Sequence, residues 1–208
     1  LTPIQEHRFV FICQAEHVKD YGLQPKLTEW AAGCEIVEIS GITDGAACTV
    51  LEAREFIDTD EPLMIANSDQ YVEGSIDDYL AELEANTLDG LIMTMIDDDP
   101  KWSFVEKDSE GLVSNVVEKV VVSDEATVGI YNFRHGADFV AAADKMIAAD
   151  DRVNGEFYVA PTYNAMIRDG ARIGSYSVGP VCVGMFGLGT PADLEIFLAR
   201  HDSVDGAN

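Results

Sequence analysis

Positive charge is scarce in this chain. It carries 13 Lys and Arg against 38 Asp and Glu, a formal net charge of −25 over 208 residues. Such a surface repels phosphate backbones and anionic headgroups, which excludes nucleic acid and anionic membrane surfaces as partners. Long hydrophobic runs are lacking too. The longest apolar stretches, such as Pro62–Ala66 and Gly90–Ile96, fall far short of the roughly 20 residues a spanning helix needs. No basic, apolar and small-residue sequence of the secretory kind opens the chain. It therefore reads as a soluble protein of the cytoplasm. Cysteine is sparse and scattered (Cys13, Cys34, Cys48, Cys182), with no C-x-x-C spacing, so these residues read as reduced small hydrophobes. His7, His17, His135 and His201 are equally dispersed, and no zinc site is expected. An initiating Met is also missing. The chain opens on Leu1 and soon enters the apolar run Phe9–Cys13, so upstream residues are expected.

What is present suits one domain with a real core: 47% apolar and 25% charged residues. Arg8–Cys13 and Glu35–Ile39 read as strands, with a mostly helical stretch from Ala15 to Trp30 between them that Gly22 and Pro25 interrupt. Cys48–Ile57 reads as a helix, Leu63–Ala66 as a short apolar strand, and Ser75 as the cap of a helix that runs to about Ala85. Leu91–Ile96 is the next strand. This alternation predicts an α/β fold with a doubly wound, mostly parallel, Rossmann-like sheet. After Asp99 the rhythm changes. Trp102–Lys107, Gly111–Lys119 and Thr127–Phe133 predict antiparallel strands, so residues of about 100–160 are expected to form an inserted β-rich substrate lobe within a single domain 1–208. Helices at about Ala137–Ala149 and Glu156–Asp169, strands at Arg172–Ser177 and Val181–Val183, and a helix from Pro191 complete the expected order.

Several residues stand where chemistry is placed in such folds. Asp69 directly follows a fully apolar strand, at the sheet edge where open α/β folds bind ligands, and Asn67 and Gln70 flank it. A carboxylate there suits Mg²⁺ shared with substrate phosphates, and it equally suits the cap of a turn. The loop Gly41–Ala47 precedes a helix; its small residues, Gly45 and Ala46 among them, permit close approach of a ligand, or form a simple turn. Glu118-Lys119 leaves a Val-rich strand, as a hydroxyl acceptor beside a phosphate cation or as a solvated strand end. Gly129 lies inside a strand, which weakens a sheet unless something must approach closely. Glu156 sits near an expected helix start, where capping alone would account for it. Asp97-Asp98-Asp99 before Pro100 reads as a solvated turn rather than a metal cluster.

Taken in order, the segments TDGAACTVL (Thr43–Leu51), PLMIANSDQ (Pro62–Gln70), VVEK (Val116–Lys119), ATVGIYNF (Ala126–Phe133), NGEFY (Asn154–Tyr158) and GLGTPADL (Gly187–Leu194) resemble the sugar-1-phosphate nucleotidyltransferases. The similarity is to a branch with nucleoside-diphosphate-sugar pyrophosphorylases and capsular polysaccharide biosynthesis enzymes, and it runs from about Arg8 to Leu198. The resemblance implies a GT-A-type fold and a reaction between a sugar-1-phosphate and a nucleoside triphosphate that releases pyrophosphate. It implies that Gly45, Ala46 and Asn67 face the nucleotide, that Asp69 holds Mg²⁺ and is catalytic, and that Lys119 grips the sugar phosphate as a second catalytic residue. Glu118, Gly129 and Glu156 would complete the sugar pocket, and a homo-oligomer is possible.

Two departures qualify this. The family's glycine-rich signature, with its Arg and Lys for the triphosphate, is not among these residues, so the chain by itself is expected to be inactive. The family's usual second metal-binding Asp aligns with Gly187, so either Asp69 holds the metal with water and phosphate alone or another acid substitutes. The position near Cys48 lacks the amide found in thymidylyl-transferring relatives, which leaves the base open. Two alternatives carry different expectations. A GT-A-type glycosyltransferase would show a D-x-D motif where this chain has Ser68-Asp69-Gln70-Tyr71, and a nucleotide-sugar-binding regulatory protein would lack the catalytic loop altogether.

Overall fold

A computed structural model describes residues 3–205, with side chains through residue 200. The first elements are β1 (Val10–Gln14), α1 (Ala15–Tyr21), α2 (Leu23–Trp30), β2 (Glu35–Ile39), α3 (Ala46–Leu51) and α4 (Arg54–Ile57). There follow β3 (Leu63–Ala66), β4 (Gln70–Val72), α5 (Ile76–Ala85), β5 (Gly90–Ile96), β6 (Ser103–Lys107), β7 (Val113–Glu118) and β8 (Glu125–Phe133). The chain ends with α6 (Gly136–Ala148), α7 (Thr162–Arg168), β9 (Ile173–Pro180), β10 (Met185–Gly187) and α8 (Pro191–Asp205).

The apolar strand β5 is the spine. Its neighbours are β9, parallel, and β8, antiparallel. Leu91, Met93 and Met95 face one core cluster, with Tyr79 and Leu83 of α5, while Ile92 faces another, with Phe139 of α6 and Tyr163 of α7. A strand covered on both faces has no solvated side to make polar, which is why its sequence shows no alternation. The two faces are tied to it by hydroxyls. Tyr79 donates to Leu91 O at 2.6 Å, and the Tyr163 hydroxyl lies 3.4 Å from the same oxygen while donating to Asn132 O of β8 at 2.9 Å. The Tyr163 ring stacks on Phe133 with centroids 4.5 Å apart.

The α/β fold appears as expected, with strand direction mostly parallel. Both β3 and β5 run antiparallel to β8, and β9 runs parallel to β5, so β3, β5 and β9 point one way and β8 opposes them. β1 and β2 are parallel to each other in a separate two-stranded sheet. The antiparallel strands β6 and β7 continue the central sheet through β8, so the expected substrate segment is joined to it by hydrogen bonds.

Other local expectations are corrected. The helix foreseen over Cys48–Ile57 is two short pieces, α3 and α4, broken at Glu52-Ala53. The helix foreseen from Glu156 begins only at Thr162, because the Phe157 N–H and C=O are bonded to Asp44 O and Ala47 N and so cannot enter a helix. The strand foreseen over Val181–Val183 is a turn with an isolated bridge, and β10 forms instead at Met185–Gly187, paired with β4, which the sequence pattern does not announce.

Replacing Phe133, which is fully buried between Phe139 and Tyr163, should be costly. Phe133→Ala is expected to lower the unfolding free energy by about 3–5 kcal/mol, read as a lower urea midpoint with an unchanged slope.

Candidate functional site

The site is built where one edge of β8 changes partner. Phe104 of β6 pairs with Ala126, and further along the same strand Leu63–Ala66 of β3 pair with Phe133–Ile130. Between these partners β8 bulges. Its register with β5 passes from Tyr131↔Ile92 to Thr127↔Thr94, so Val128, Gly129 and Ile130 lie opposite Met93 alone. The bulge needs a left-handed residue, and Gly129 supplies it with φ +77. Its carbonyl accepts the Asn67 N–H at 3.0 Å, and the side-chain amides of Asn67 and Gln70 lie over its Cα, where a methyl group would collide with them. The kink also brings the Thr127 and Tyr131 hydroxyls to 3.1 Å, although three residues separate them.

On the β6–β7 side of this fork, Ser103 pairs with Glu118 in register and donates a hydrogen bond to its carboxylate. Glu118 is only 7% exposed. Burial pushes its carboxyl above the ordinary glutamate range and Glu156 adds to this, while the Ser103 hydrogen bond and Lys119 oppose it. Tyr131, also buried, is pushed up to about 12 by desolvation, against hydrogen bonds from Thr127 and Ser103. A polar cluster thus runs from Glu118 through Ser103 and Tyr131 to Thr127, at the edge of the bulge.

Lys119 follows with φ 57, an uncommon conformation for a residue with a side chain, fixed by its N–H bond to Trp102 O at 3.0 Å. Its ammonium donates to the Tyr158 hydroxyl at 2.6 Å and lies 4.7 Å from the centroid of that ring. Elsewhere Arg54, Lys101, Lys107, Arg134, Lys145 and Arg152 each pair with a carboxylate. Among the described residues no carboxylate oxygen lies within 4.0 Å of the Lys119 ammonium. Arg8, Lys19, Lys26, Arg168 and Arg172 likewise have no described carboxylate oxygen within 4.0 Å; Lys119 differs from them in having a hydroxyl partner and the buried Glu118 beside it.

The segment carrying Glu156 and Tyr158 also holds the small-residue loop. Asp44 O accepts from Phe157 N at 2.8 Å, and Ala47 N donates to Phe157 O at 2.9 Å. A methyl group at Gly45 would lie 2.5 Å from both the N and the O of Phe157, so only glycine admits this approach. Arg152 clamps the outside, bonded to Asp44 at 3.0 Å and resting 4.1 Å from the Phe157 ring centroid. Ala46 opens α3 beside it.

The expected residues therefore fall into two connected groups. Gly45, Ala46 and Glu156 meet around Phe157; Asn67 and Gly129 meet at the bulge. Lys119 is linked to the first through Tyr158, and Glu118 is linked through Ser103 to Tyr131 of the bulged strand. Asn67, expected on the nucleotide side, sits against Gly129, expected on the sugar side. Asp69 lies two residues beyond Asn67, with its O accepting from Leu188 N at 2.7 Å and its carboxylate packed against Gly189, where a side chain would come within 2.8 Å of Oδ2. Beside Gly187 the nearest carboxylate is that of Asp193, which accepts from Thr190 Oγ1 at 2.6 Å in a helix-capping pair. Asp97 accepts from Asp98 N, Asp99 N and Trp102 Nε1, which makes the triple-aspartate segment a turn. Sequence reasoning missed Ser103, Tyr131 and Tyr158. Only Tyr158 left a trace, since 156 and 158 alternate with the apolar Phe157.

A concavity of about 510 Å³ lies elsewhere, at the start of β1, lined by His7, Phe9, Phe11 and Trp30 among others. No described helix is long and apolar enough to cross a membrane.

No protein-family model and no curated protein sequence matches the chain. Among solved structures it is similar to the nucleoside-diphosphate-sugar pyrophosphorylase from Vibrio cholerae RC9, with a TM-score of 0.76 and 23% identity over 93% of this chain and 81% of that one. A protein from Bacillus anthracis assigned as a glucose-1-phosphate thymidylyltransferase, in complex with sucrose, gives a TM-score of 0.71 and 18% identity over 92% of this chain and 75% of that one. A UDP-glucose pyrophosphorylase complexed with UDP-glucose gives 0.69 and 13%, over 94% of this chain and 81% of that one. The chain has the α/β fold of these sugar nucleotidyltransferases.

The raised carboxyl of Glu118 makes stability depend on pH. A group whose folded pKa lies above its unfolded value contributes stability that is present at low pH and lost as pH rises through the folded value. Ionised Glu118 therefore costs the ligand-free fold stability at neutral pH. Glu118→Gln should melt above the wild type at about pH 7 and converge with it by about pH 4, as differential scanning fluorimetry will show; a variant that melts lower at neutral pH contradicts this.

Proposed function

We propose that this chain is the substrate-binding body of a nucleotidyltransferase that joins a sugar-1-phosphate to a nucleoside triphosphate and releases pyrophosphate, making a nucleotide sugar for polysaccharide biosynthesis. The observation that carries the reading is Lys119. Its ammonium is held free of carboxylates beside the buried Glu118, on a segment bonded to the Gly45 loop. A cation spared neutralisation in so acidic a protein suits an anion, and an adjacent carboxylate suits hydroxyls; a sugar phosphate offers both.

On this reading Lys119 binds the sugar phosphate, and Glu118, Gly129 and Glu156 face the sugar. Gly45, Ala46 and Asn67 face the nucleotide. A sugar-phosphate oxygen bonds to the α-phosphorus, the bond from that phosphorus to the bridging oxygen breaks, and pyrophosphate leaves. The protein's share is to position the reactants and offset their charge. The residues present fit Mg²⁺. Asp69 is an exposed hard-oxygen donor whose carboxylate Gly189 makes room for, and this ion needs only one or two protein carboxylates with water and phosphate. Bound there, the ion would neutralise triphosphate charge. The reading assigns no triphosphate-gripping loop to the 208 residues, so turnover is expected of a longer product that supplies one.

Isothermal titration of the 208-residue chain with glucose-1-phosphate should show binding, and Lys119→Ala should weaken it about tenfold or more without a comparable loss of melting temperature. In a longer product, pyrophosphate release from a panel of sugar-1-phosphates and nucleoside triphosphates should require Mg²⁺ and be abolished by Asp69→Asn. Unchanged turnover in Asp69→Asn removes that residue from the reaction. Sugar transfer to an acceptor without pyrophosphate favours a glycosyltransferase.

A further inference from the structure

Lys119 is exposed, and its long side chain has Glu118 and Glu156 as its charged neighbours. Neither carboxylate forms an ion pair with it among the described residues. What holds it is Tyr158, which offers a hydroxyl acceptor 2.6 Å from Nζ and a ring face 4.7 Å from it at the centroid. We propose that Tyr158 is a positioning residue: it keeps the Lys119 ammonium ordered and un-neutralised until a phosphate monoester takes it.

The argument has three parts. A phenol oxygen is a neutral acceptor, so it orients the ammonium without cancelling its charge, as a carboxylate would. Holding the side chain in one rotamer in the free protein removes an ordering cost that binding would otherwise meet. Finally, Tyr158 is itself held. Phe157 beside it is buried and bonded through N–H and C=O to the Gly45 loop, and the Lys119 backbone is fixed by Trp102, so both partners are anchored on rigid backbone. The inference rests on the proposed sugar-phosphate site for its ligand, but the ordering of Lys119 in the free protein does not.

The groups facing this ammonium are Tyr158, Glu118 and Glu156, and its pKa lies above the ordinary lysine value chiefly because of the Tyr158 hydrogen bond. Tyr158→Phe removes the hydroxyl and keeps the ring. NMR titration of the Lys119 side chain in the ligand-free chain should show a lower pKa in Tyr158→Phe than in wild type. Calorimetry with glucose-1-phosphate and with inorganic phosphate should show roughly three- to tenfold weaker binding of both. Tyr158→Ala, which also removes the ring, should weaken both further, and the melting temperature of Tyr158→Phe should stay near that of wild type. An unchanged Lys119 titration in Tyr158→Phe overturns the inference, as does weaker binding that only tracks a loss of fold stability. A shifted titration with no glucose-1-phosphate binding by the wild type upholds the positioning of Lys119 and sinks the functional reading instead.

Discussion

The bulge in β8 is the constraint on which the arrangement depends. A regular strand would carry one partner along its whole edge and present a flat ladder there. By placing Val128, Gly129 and Ile130 opposite Met93, β8 turns its edge between β6 and β3, and the two strand ends diverge into a fork. Glu118 arrives by one arm and Asn67 by the other. The left-handed Gly129 makes the bend, and its missing side chain leaves room for the two amides above it. Bulges beside functional sites re-aim side chains in this way.

Charge sets the second condition. With an excess of 25 acids, six of the described Lys and Arg side chains pair with carboxylates, several of them in exposed pairs of small energetic consequence. The Lys119 ammonium has a hydroxyl as its partner instead. Glu118 is withdrawn into the interior with Ser103 as its donor, and a tyrosine stands in as the partner of the ammonium. Burial and hydrogen bonding thus keep two opposite charges that are adjacent in sequence from simply quenching each other.

Much of the fold was legible because strand and helix signals are local. β2, β3 and α5 lie where their residue patterns put them, and Ser75 does accept the Asp78 N–H as a cap. The misplaced helix start near Glu156 and the unannounced β4–β10 pair share one cause: backbone groups of Phe157 and of Gln70–Val72 are claimed by partners distant in sequence, and local propensity carries no record of those partners. The site was legible in its residue types. The positions of Glu118, Lys119, Gly129 and Glu156 drew notice as charges or glycines set against apolar surroundings; Ser103 and Tyr131 did not, because a hydroxyl in a strand looks like any other strand residue until its neighbour across the sheet is known, and Tyr158 lies in an irregular segment whose contact with Lys119 is distant in sequence.

The amino-acid order alone determined the α/β class, the apolar spine of β5 and the strong net acidity, since each follows from composition or from contacts within a few residues. Only the tertiary structure decided which of the candidate residues share a neighbourhood, that Asn67 lies over Gly129, and that the ammonium of Lys119 rests on Tyr158, 39 positions away. Those are outcomes of strand pairing and of one bulge, and hydrogen bonds between distant segments leave no periodicity in a sequence.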